Sequence, residues 1–560
     1  MSKPLRIIPL GGLGEIGKNM TVYEYGEAIL IVDTGLMFPT ADMLGVDYII
    51  PDFSYLEDKA HKVVGIVYTH GHEDHTGAVR HVVEKIPAPL YATPLTKGLL
   101  EVKLKEAKLA HAKVHEVRPG QKIRLGPFQV EFVHVTHSIP DSVALGITTP
   151  QGLVVHTGDY KFDHTPAYGP PSDYGQLAEF GKRGVLALLS DSTNADRPGW
   201  TPSERSIEPA IEEVFRKAQG RILVATFASL ISRMQQVTDI AMRHGRKIGF
   251  VGRSMIANAK MARKLGYLRI PEDMLITAEQ AAKLPPHQVC LMITGSQGEP
   301  SSIVGRLAAG AKRPIRVEPG DAIIIAAHPI PGNTENVYRA INGLIRRGAD
   351  VYYSPVHKVH VSGHGSQEEM KLMIHLTQPR FFVPVHGELR HLRLHAELAH
   401  SLGIDEERIA VVENGYVLEF RDGQMRIGER IPGGWVFVEG TMVGESTIQD
   451  IKERRELARG GLVLVRVEVD RTTGQMVGEP EVITKGFAYP QGGEALVEAL
   501  AKRIRRVLKR GPQDPEQALE QALRDFIFSE TRRRPHLFVV VKEVLPEEPP
   551  RRRERRRAFV

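Results

Sequence analysis

Four candidate metal ligands, His70, His72, Asp74 and His75, fall within the seven-residue segment Thr69-His70-Gly71-His72-Glu73-Asp74-His75. Imidazole nitrogens and carboxylate oxygens together favour borderline divalent cations. An apolar run at 63–69 leads directly into the segment. Residues two apart in an extended loop project to the same side, so His70 and His72 can share one ion. Asp74 and His75 fall where a helix-like run, 77–84, begins; they point elsewhere and can hold a second. The spacing is not that of H-E-x-x-H, because His72 and His75 are three apart. Burying so many polar groups on hydrogen bonds alone would be costly, which favours metal.

Two ions need more ligands, and other apolar runs end in them. His137 in Val135-Thr-His-Ser could complete the first site, and Asp159 in His156-Thr-Gly-Asp-Tyr has a carboxylate able to bridge both ions. His386 in Pro384-Val-His-Gly-Glu could cap the second. Asp33, in Ile31-Val-Asp-Thr-Gly, reads either as a partner for a ligand histidine or as a turn former. With one cysteine in the chain, Cys290, neither a thiolate cluster nor an internal disulfide is available. Zinc is the first expectation, manganese the second, and magnesium is disfavoured by so many imidazoles. Isolated histidines such as His61, His81, His134, His164 and His357 are taken as surface or satisfied residues.

These groups need a scaffold that brings strand ends together. Runs at 5–10, 28–32, 63–69, 129–135 and 153–157 are short, rich in Val, Ile and Leu, and read as strands. From about 205 the pattern alternates strand and helix, as at 221–225, 229–244 and 247–251, which argues a parallel sheet of βαβ type. After about 355 the strand-rich pattern of the N-terminal part returns, with 380–385 running into His386. Ligand-type residues on both sides of the α/β block indicate one domain interrupted by another.

Residues 428–460 hold Pro432-Gly-Gly and Arg459-Gly-Gly and read as a connector. Beyond them two strand-like runs flank Thr472-Thr-Gly, two helix-like runs follow, and 536–544 closes as a strand. In the first of those helices Val497, Leu500, Ile504 and Val507 make an apolar stripe.

At 560 residues the chain is long enough for two or three domains. No apolar stretch is long enough to span a membrane and the start lacks a secretory signal, so a cytoplasmic location is expected. The formal charge is +6, yet residues 501–560 alone carry 17 Lys/Arg against 9 Asp/Glu. A basic end on a near-neutral body fits a polyanionic partner, although the run 551–557 by itself is equally consistent with a solvated tail. Gly12-Leu-Gly14-Glu-Ile-Gly17 matches G-x-G-x-x-G. The strand-like alternation that follows offers no helix N-terminus for a pyrophosphate, so a tight turn near the site is the better reading.

The Thr69–His75 segment with Asp33, His137 and Asp159 resembles the metallo-β-lactamase superfamily. Ser190-Asp191-Ser-Thr-Asn, Ser362-Gly-His364-Gly-Ser-Gln and Pro384-Val-His386-Gly-Glu resemble the extra motifs of its nucleic-acid-processing β-CASP branch. The opening Gly11-Gly-Leu-Gly-Glu-Ile-Gly-Lys-Asn and the basic C-terminal region are most similar to the bacterial ribonuclease J family.

That resemblance implies an α/β chain: a metallo-β-lactamase αββα sandwich at 1–205 and 353–428 with an α/β β-CASP insert at 206–352. A linker at 429–460 and a small basic α/β domain at 461–560 would follow. It further implies a zinc-dependent ribonuclease with 5′-to-3′ exonuclease and endonuclease activity in RNA processing and decay. Its substrate would be single-stranded RNA with a 5′-monophosphate, cleaved by a metal-bridged hydroxide to leave 5′-phosphate products, and the chain would form a homodimer or higher oligomer. His364 would contact the scissile phosphate and donate a proton, Asp191 would orient a neighbour, and Asp74 would serve as both ligand and catalytic group. Ser229, Gly365 and Ser366, with His364, would bind substrate around a 5′-phosphate pocket. Three rivals stand beside this reading: a small-molecule hydrolase on the same scaffold, a β-CASP nuclease acting on DNA, and a non-catalytic nucleic-acid-binding protein.

Overall fold

A computed structural model describes residues 2–311, 315–330, 332–487 and 493–545. The Arg-rich run 551–557 lies outside them. The chain divides into two compact units, 1–41 with 46–444 and 42–45 with 445–560. Among the described residues no helix is long and apolar enough to cross a membrane.

The run 28–32 shows how the first unit is built. In the strand Ala28–Val32, Leu30 and Val32 point into one apolar core while Ile29 and Ile31 point into another. Both faces are covered, so a continuous apolar run replaces the usual alternation. Burying each such side chain stabilises the fold by about 1.5–3 kcal/mol.

An eight-stranded sheet contains Leu5–Gly11, Met20–Tyr25, Ala28–Val32 and Val63–Val67 near its middle. A six-stranded sheet runs from Phe381–Val385 through Val185–Asp191 and Gly152–His156 to Lys122–Leu125. Their facing sides share one core, which includes Ile7, Leu30, Phe132, Val154, Leu189 and Val383. The outer faces are covered by helices, Val79–Lys85 and Pro94–Glu106 on the first sheet, Tyr174–Arg183 and Gln367–Thr377 on the second. This is an αββα sandwich. Between Val185–Asp191 and Phe381–Val385, which pair in parallel, the chain leaves to build an all-parallel six-stranded sheet from Ile222–Ala225 to Asp350–Tyr353, buried on both faces. The strands pair side by side, so the insertion leaves the ends of Val185–Asp191 and Phe381–Val385 adjacent.

Two expectations are corrected. Residues 429–460 are not a bare connector: Trp435–Glu439 pairs with Tyr48–Pro51 and with Met442–Val443, and Ile448–Gly460 is a helix. The first pairing is long-range and places 429–444 in the first unit. In the second unit, strands Leu462–Asp470, Met476–Lys485 and His536–Val544 form a sheet with helices Gly493–Leu508 and Pro515–Thr531 sharing its core. The buried stripe of the first helix is Leu496, Leu500, Ile504 and Leu508, with Val497 and Val507 only half-buried beside it. Four-residue spacing places the stripe's centre slightly off the expected one.

Candidate metal centre

The strand Val63–Val67 releases the chain at Tyr68, and the next turn carries His70 and His72 before a short helix, Glu73–Thr76, presents Asp74 and His75. His137 follows Phe128–His134, Asp159 follows Gly152–His156, and His386 follows Phe381–Val385. His386 has φ +52°, a left-handed conformation that costs a non-glycine residue about 1–2 kcal/mol. Such strain is retained where a side chain must be aimed. The glycine loop braces this spot: Leu13–Gly14 pairs with Gly387–Glu388, and Gly387 N–H donates to the Gly12 carbonyl at 3.1 Å.

The structure brings all seven predicted ligand residues together as two sets sharing Asp159. One is His70, His72, His137 and Asp159; the other is Asp74, His75, Asp159 and His386. His72 Nδ1 lies 3.1 Å from His70 Nε2 and 3.0 Å from His137 Nε2. Ligand nitrogens about 2.0–2.1 Å from a tetrahedral ion sit roughly 3.3 Å apart, so the spacing suits a common cation. Asp159 Oδ2 is 3.5 Å from His70 Nε2, 3.8 Å from His137 Nε2 and 3.2 Å from His75 Nε2. Among the described residues His386 Nε2 is buried without a hydrogen-bond partner, 3.4 Å from Asp74 Oδ2. An orphaned buried nitrogen beside a carboxylate fits the donor set of a metal site.

Electrostatics agree. Burial first, then neighbouring histidines, push His70 and His137 well below the ordinary imidazole value, and burial pushes His72 down to about 4. These rings are neutral, as metal ligands must be. Burial also works against charge on His75 and His386, but it is outweighed by carboxylates, Asp159 foremost; His75 is raised well above its ordinary value and His386 to about 10. The site therefore attracts positive charge.

The surroundings fix each ring. Asp33 Oδ2 accepts from His75 Nδ1 at 2.8 Å, and its two oxygens accept from Thr69 N and Oγ1 at 2.8 Å each. Asp33 also turns the chain at φ +62°, so both readings of it apply. The Gly363 carbonyl accepts from His137 Nδ1 at 2.7 Å, leaving Nε2 for the site. Asn19 holds the Asp74 carbonyl with its backbone N–H at 2.9 Å and its amide at 3.2 Å. Sequence reading missed Asn19 and Gly363; only the position of Asn19 just after the glycine loop could have signalled it.

His364 stands at the edge of the cluster, its ring 5.0 Å from that of His137 and 5.5 Å from that of His386. Its Nδ1 is 2.7 Å from Asp191 Oδ2, while Thr193 N and Oγ1 donate to Asp191 Oδ1 at 2.9 and 2.7 Å. Burial alone would push His364 down; the Asp191 and Asp159 carboxylates overcome it and raise it. Its carbonyl accepts from Asn194 Nδ2 and Thr201 Oγ1. Ser366 caps the helix Gln367–Thr377 and its hydroxyl meets Thr201 Oγ1 at 2.9 Å, while Gly365 N–H donates to the Tyr160 carbonyl. Ser229 is buried in the loop before the helix Ile231–Arg243, and no hydrogen bond among the described residues joins it to Gly365 or Ser366.

Four family descriptions match the chain in series: the metallo-beta-lactamase superfamily at 13–217, the ribonuclease J beta-CASP domain at 219–344, the Zn-dependent metallo-hydrolase RNA specificity domain at 348–411 and the ribonuclease J C-terminal domain at 450–544. Ribonuclease J2 of Bacillus subtilis is 39% identical over 548 residues, covering 96% of this chain and 99% of the relative. The chain belongs to the ribonuclease J family. Ribonuclease J of Thermus thermophilus is 42% identical over 94% of this chain and 91% of its own length, and that of Synechocystis 43% over 90% and 79%. A crystal structure of a protein of unknown function from Enterococcus faecalis shares the fold at 15% identity and a TM-score of 0.50, over 69% of this chain and 94% of that one. In this ribonuclease J family member the two His/Asp sets are thus candidate sites for divalent metal within a metallo-β-lactamase domain.

Proposed function

We propose that the chain is a two-metal RNA phosphodiesterase, zinc-dependent with manganese as the second choice, that trims 5′-monophosphorylated single strands 5′-to-3′ and also cleaves internally. The observation that carries this reading is Asp159 Oδ2, one carboxylate oxygen within 4 Å of ring nitrogens from both sets. His70, His72, His137 and Asp159 would hold one ion, and Asp74, His75, Asp159 and His386 the other. A pair of divalent cations there would supply charge stabilisation and lower the pKa of water near the scissile phosphate.

The chain's own residues supply the rest. Asp191 holds Nδ1–H of His364, which leaves Nε2 for the departing 3′ oxygen, and the raised pKa keeps a proton available there. Water attacks phosphorus, the bond from phosphorus to the 3′ oxygen breaks, and that oxygen takes the His364 proton, leaving a 3′-hydroxyl on one product and a 5′-phosphate on the other. Gly365, Ser366 and Ser229 are assigned to the 5′-phosphate end, and the working enzyme to a homodimer or higher oligomer in RNA processing and decay.

Matched RNA and DNA oligonucleotides bearing 5′-monophosphate or 5′-triphosphate, with product ends mapped, test the proposal. It predicts rapid loss of monophosphorylated RNA to 5′-phosphate products. Faster turnover of DNA would favour the DNA nuclease, and salt-sensitive binding without cleavage in zinc or manganese would favour the binding protein.

A further inference from the structure

Two ionisable side chains with no exposed surface, Lys161 and Glu369, have no role in the proposed reaction, yet both end on the loop that carries His364. Lys161 stands two residues after Asp159. Its Nζ donates to the Ser362 carbonyl at 3.1 Å and the Pro202 carbonyl at 3.2 Å, and pairs with Glu204 Oε1 at 3.2 Å. Glu369 Oε2 accepts from the backbone N–H groups of Ser366 and Thr201 at 2.7 Å each, and Oε1 from that of Phe162 at 2.8 Å.

Helix capping explains only part of this. The capping box that starts the helix Gln367–Thr377 accounts for the bond to Ser366. The other two bonds reach segments remote in sequence: Phe162 lies just past Asp159, and Thr201 donates from its hydroxyl to the His364 carbonyl at 2.7 Å. Among the described residues Glu369 has no ion-pair partner, so backbone amides alone offset the cost of burying its carboxylate.

The loop fits between its holders without slack. A Cβ on Gly363 would lie 2.6 Å from His137 Cε1, and one on Gly365 would lie 3.0 Å from Glu369 Cβ. Residues 161–162 thus grip the loop at both ends, Lys161 at Ser362 directly and Phe162 at Ser366 through Glu369. Because Asp159 leads that segment, the grip sets His364 relative to Asp159; His364 Nδ1 lies 3.9 Å from Asp159 Oδ2.

We propose that Lys161 and Glu369 are positioning residues for the hydrolysis, bolting the Ser362–Ser366 loop to the Asp159 segment so that His364 meets the departing oxygen. Neither touches the reacting atoms; Thr201 is the last link from Glu369 to His364. This rests on the ribonuclease reading and adds to it residues that act through the general acid. Misplacing a catalytic group by about 1 Å can cost on the order of 100-fold in rate.

The test compares the full native chain with Glu369→Gln, Lys161→Met and Thr201→Val. Rates per folded molecule are measured on 5′-phosphorylated RNA and on a p-nitrophenyl phosphodiester, whose leaving group needs no proton. Metal content by mass spectrometry and amide hydrogen exchange of the 362–366 peptide accompany them. Glu369→Gln and Lys161→Met should lower kcat on RNA about 10- to 100-fold at unchanged KM, lose far less on the ester, and keep their metal. The 362–366 amides should exchange faster in both. Thr201→Val, which leaves no buried charge unpaired, should show the same selectivity with a smaller loss. A lower urea midpoint with full kcat per folded molecule, or equal losses on both substrates, would make these residues structural and overturn the assignment. Should the first two variants fail to fold, Thr201→Val decides: an unchanged ratio of the two rates overturns the assignment. A native chain that cleaves the ester but not RNA would overturn the ribonuclease reading, and this assignment with it.

Discussion

Replacing His364 by alanine separates its proposed proton-donor role from metal binding. Neither of the two sets that share Asp159 as four-residue groups with the 70–75 segment contains it, so their ligands survive the change. A third grouping, Asp159, Asp191, His364 and His386, does include it, and metal analysis distinguishes the two arrangements. General acid catalysis contributes about 10²- to 10⁴-fold, or roughly 3–5 kcal/mol of barrier. Loss of the 2.7 Å bond leaves Asp191 Oδ2 unpartnered in a residue 1% exposed, costing about 1–3 kcal/mol of stability while Thr193 still holds Oδ1. The assay is kcat on 5′-phosphorylated RNA beside a p-nitrophenyl phosphodiester, whose leaving group needs no proton, with metal content by mass spectrometry. His364→Ala should lose about 10²- to 10⁴-fold on RNA, far less on the activated ester, and no metal. Full rate on RNA, equal losses on both substrates, or loss of one equivalent of metal would refute the assignment.

Asp33→Asn removes the carboxylate that orients His75 and should weaken metal affinity about 10- to 100-fold, read by chelator competition; unchanged affinity would leave Asp33 as a turn former only. Glu204, 5% exposed, pairs with buried Lys161 at 3.2 Å and buried Arg233 at 2.7 Å. Glu204→Gln should therefore destabilise the first unit by about 3–5 kcal/mol, seen as a lower urea midpoint. Burial pushes the Cys290 thiol up to about 12, so at pH 8 only about one molecule in 10⁴ carries the reactive thiolate. An aromatic disulfide reagent should label Cys290 only after denaturation, and rapid labelling of the native chain would contradict that burial.

The αββα sandwich with its insert was legible because local and global signals agree. Runs such as 28–32 are apolar throughout since both faces are buried, and several of them, 28–32 before Asp33 and 63–69 before His70 among them, end where a His or Asp begins. The pairing of Trp435–Glu439 with Tyr48–Pro51 was not legible, because Pro432-Gly-Gly marks a local turn while the strand's partner is remote in sequence. The Gly363 carbonyl that fixes His137 is backbone, and no side-chain pattern announces it. For the helix Gly493–Leu508, choosing Val497 and Val507 over Leu496 and Leu508 slightly misplaced the stripe, since adjacent apolar residues leave helical phase ambiguous.

Metal stoichiometry in the native protein and in His386→Ala tests the two-ion centre most directly. Two equivalents of zinc or manganese per chain are expected, falling to one when His386 is removed and leaving the set of His70, His72, His137 and Asp159 occupied. Fewer than two equivalents in the native chain after reconstitution, or an undiminished two in His386→Ala, would contradict a pair of ions joined through Asp159.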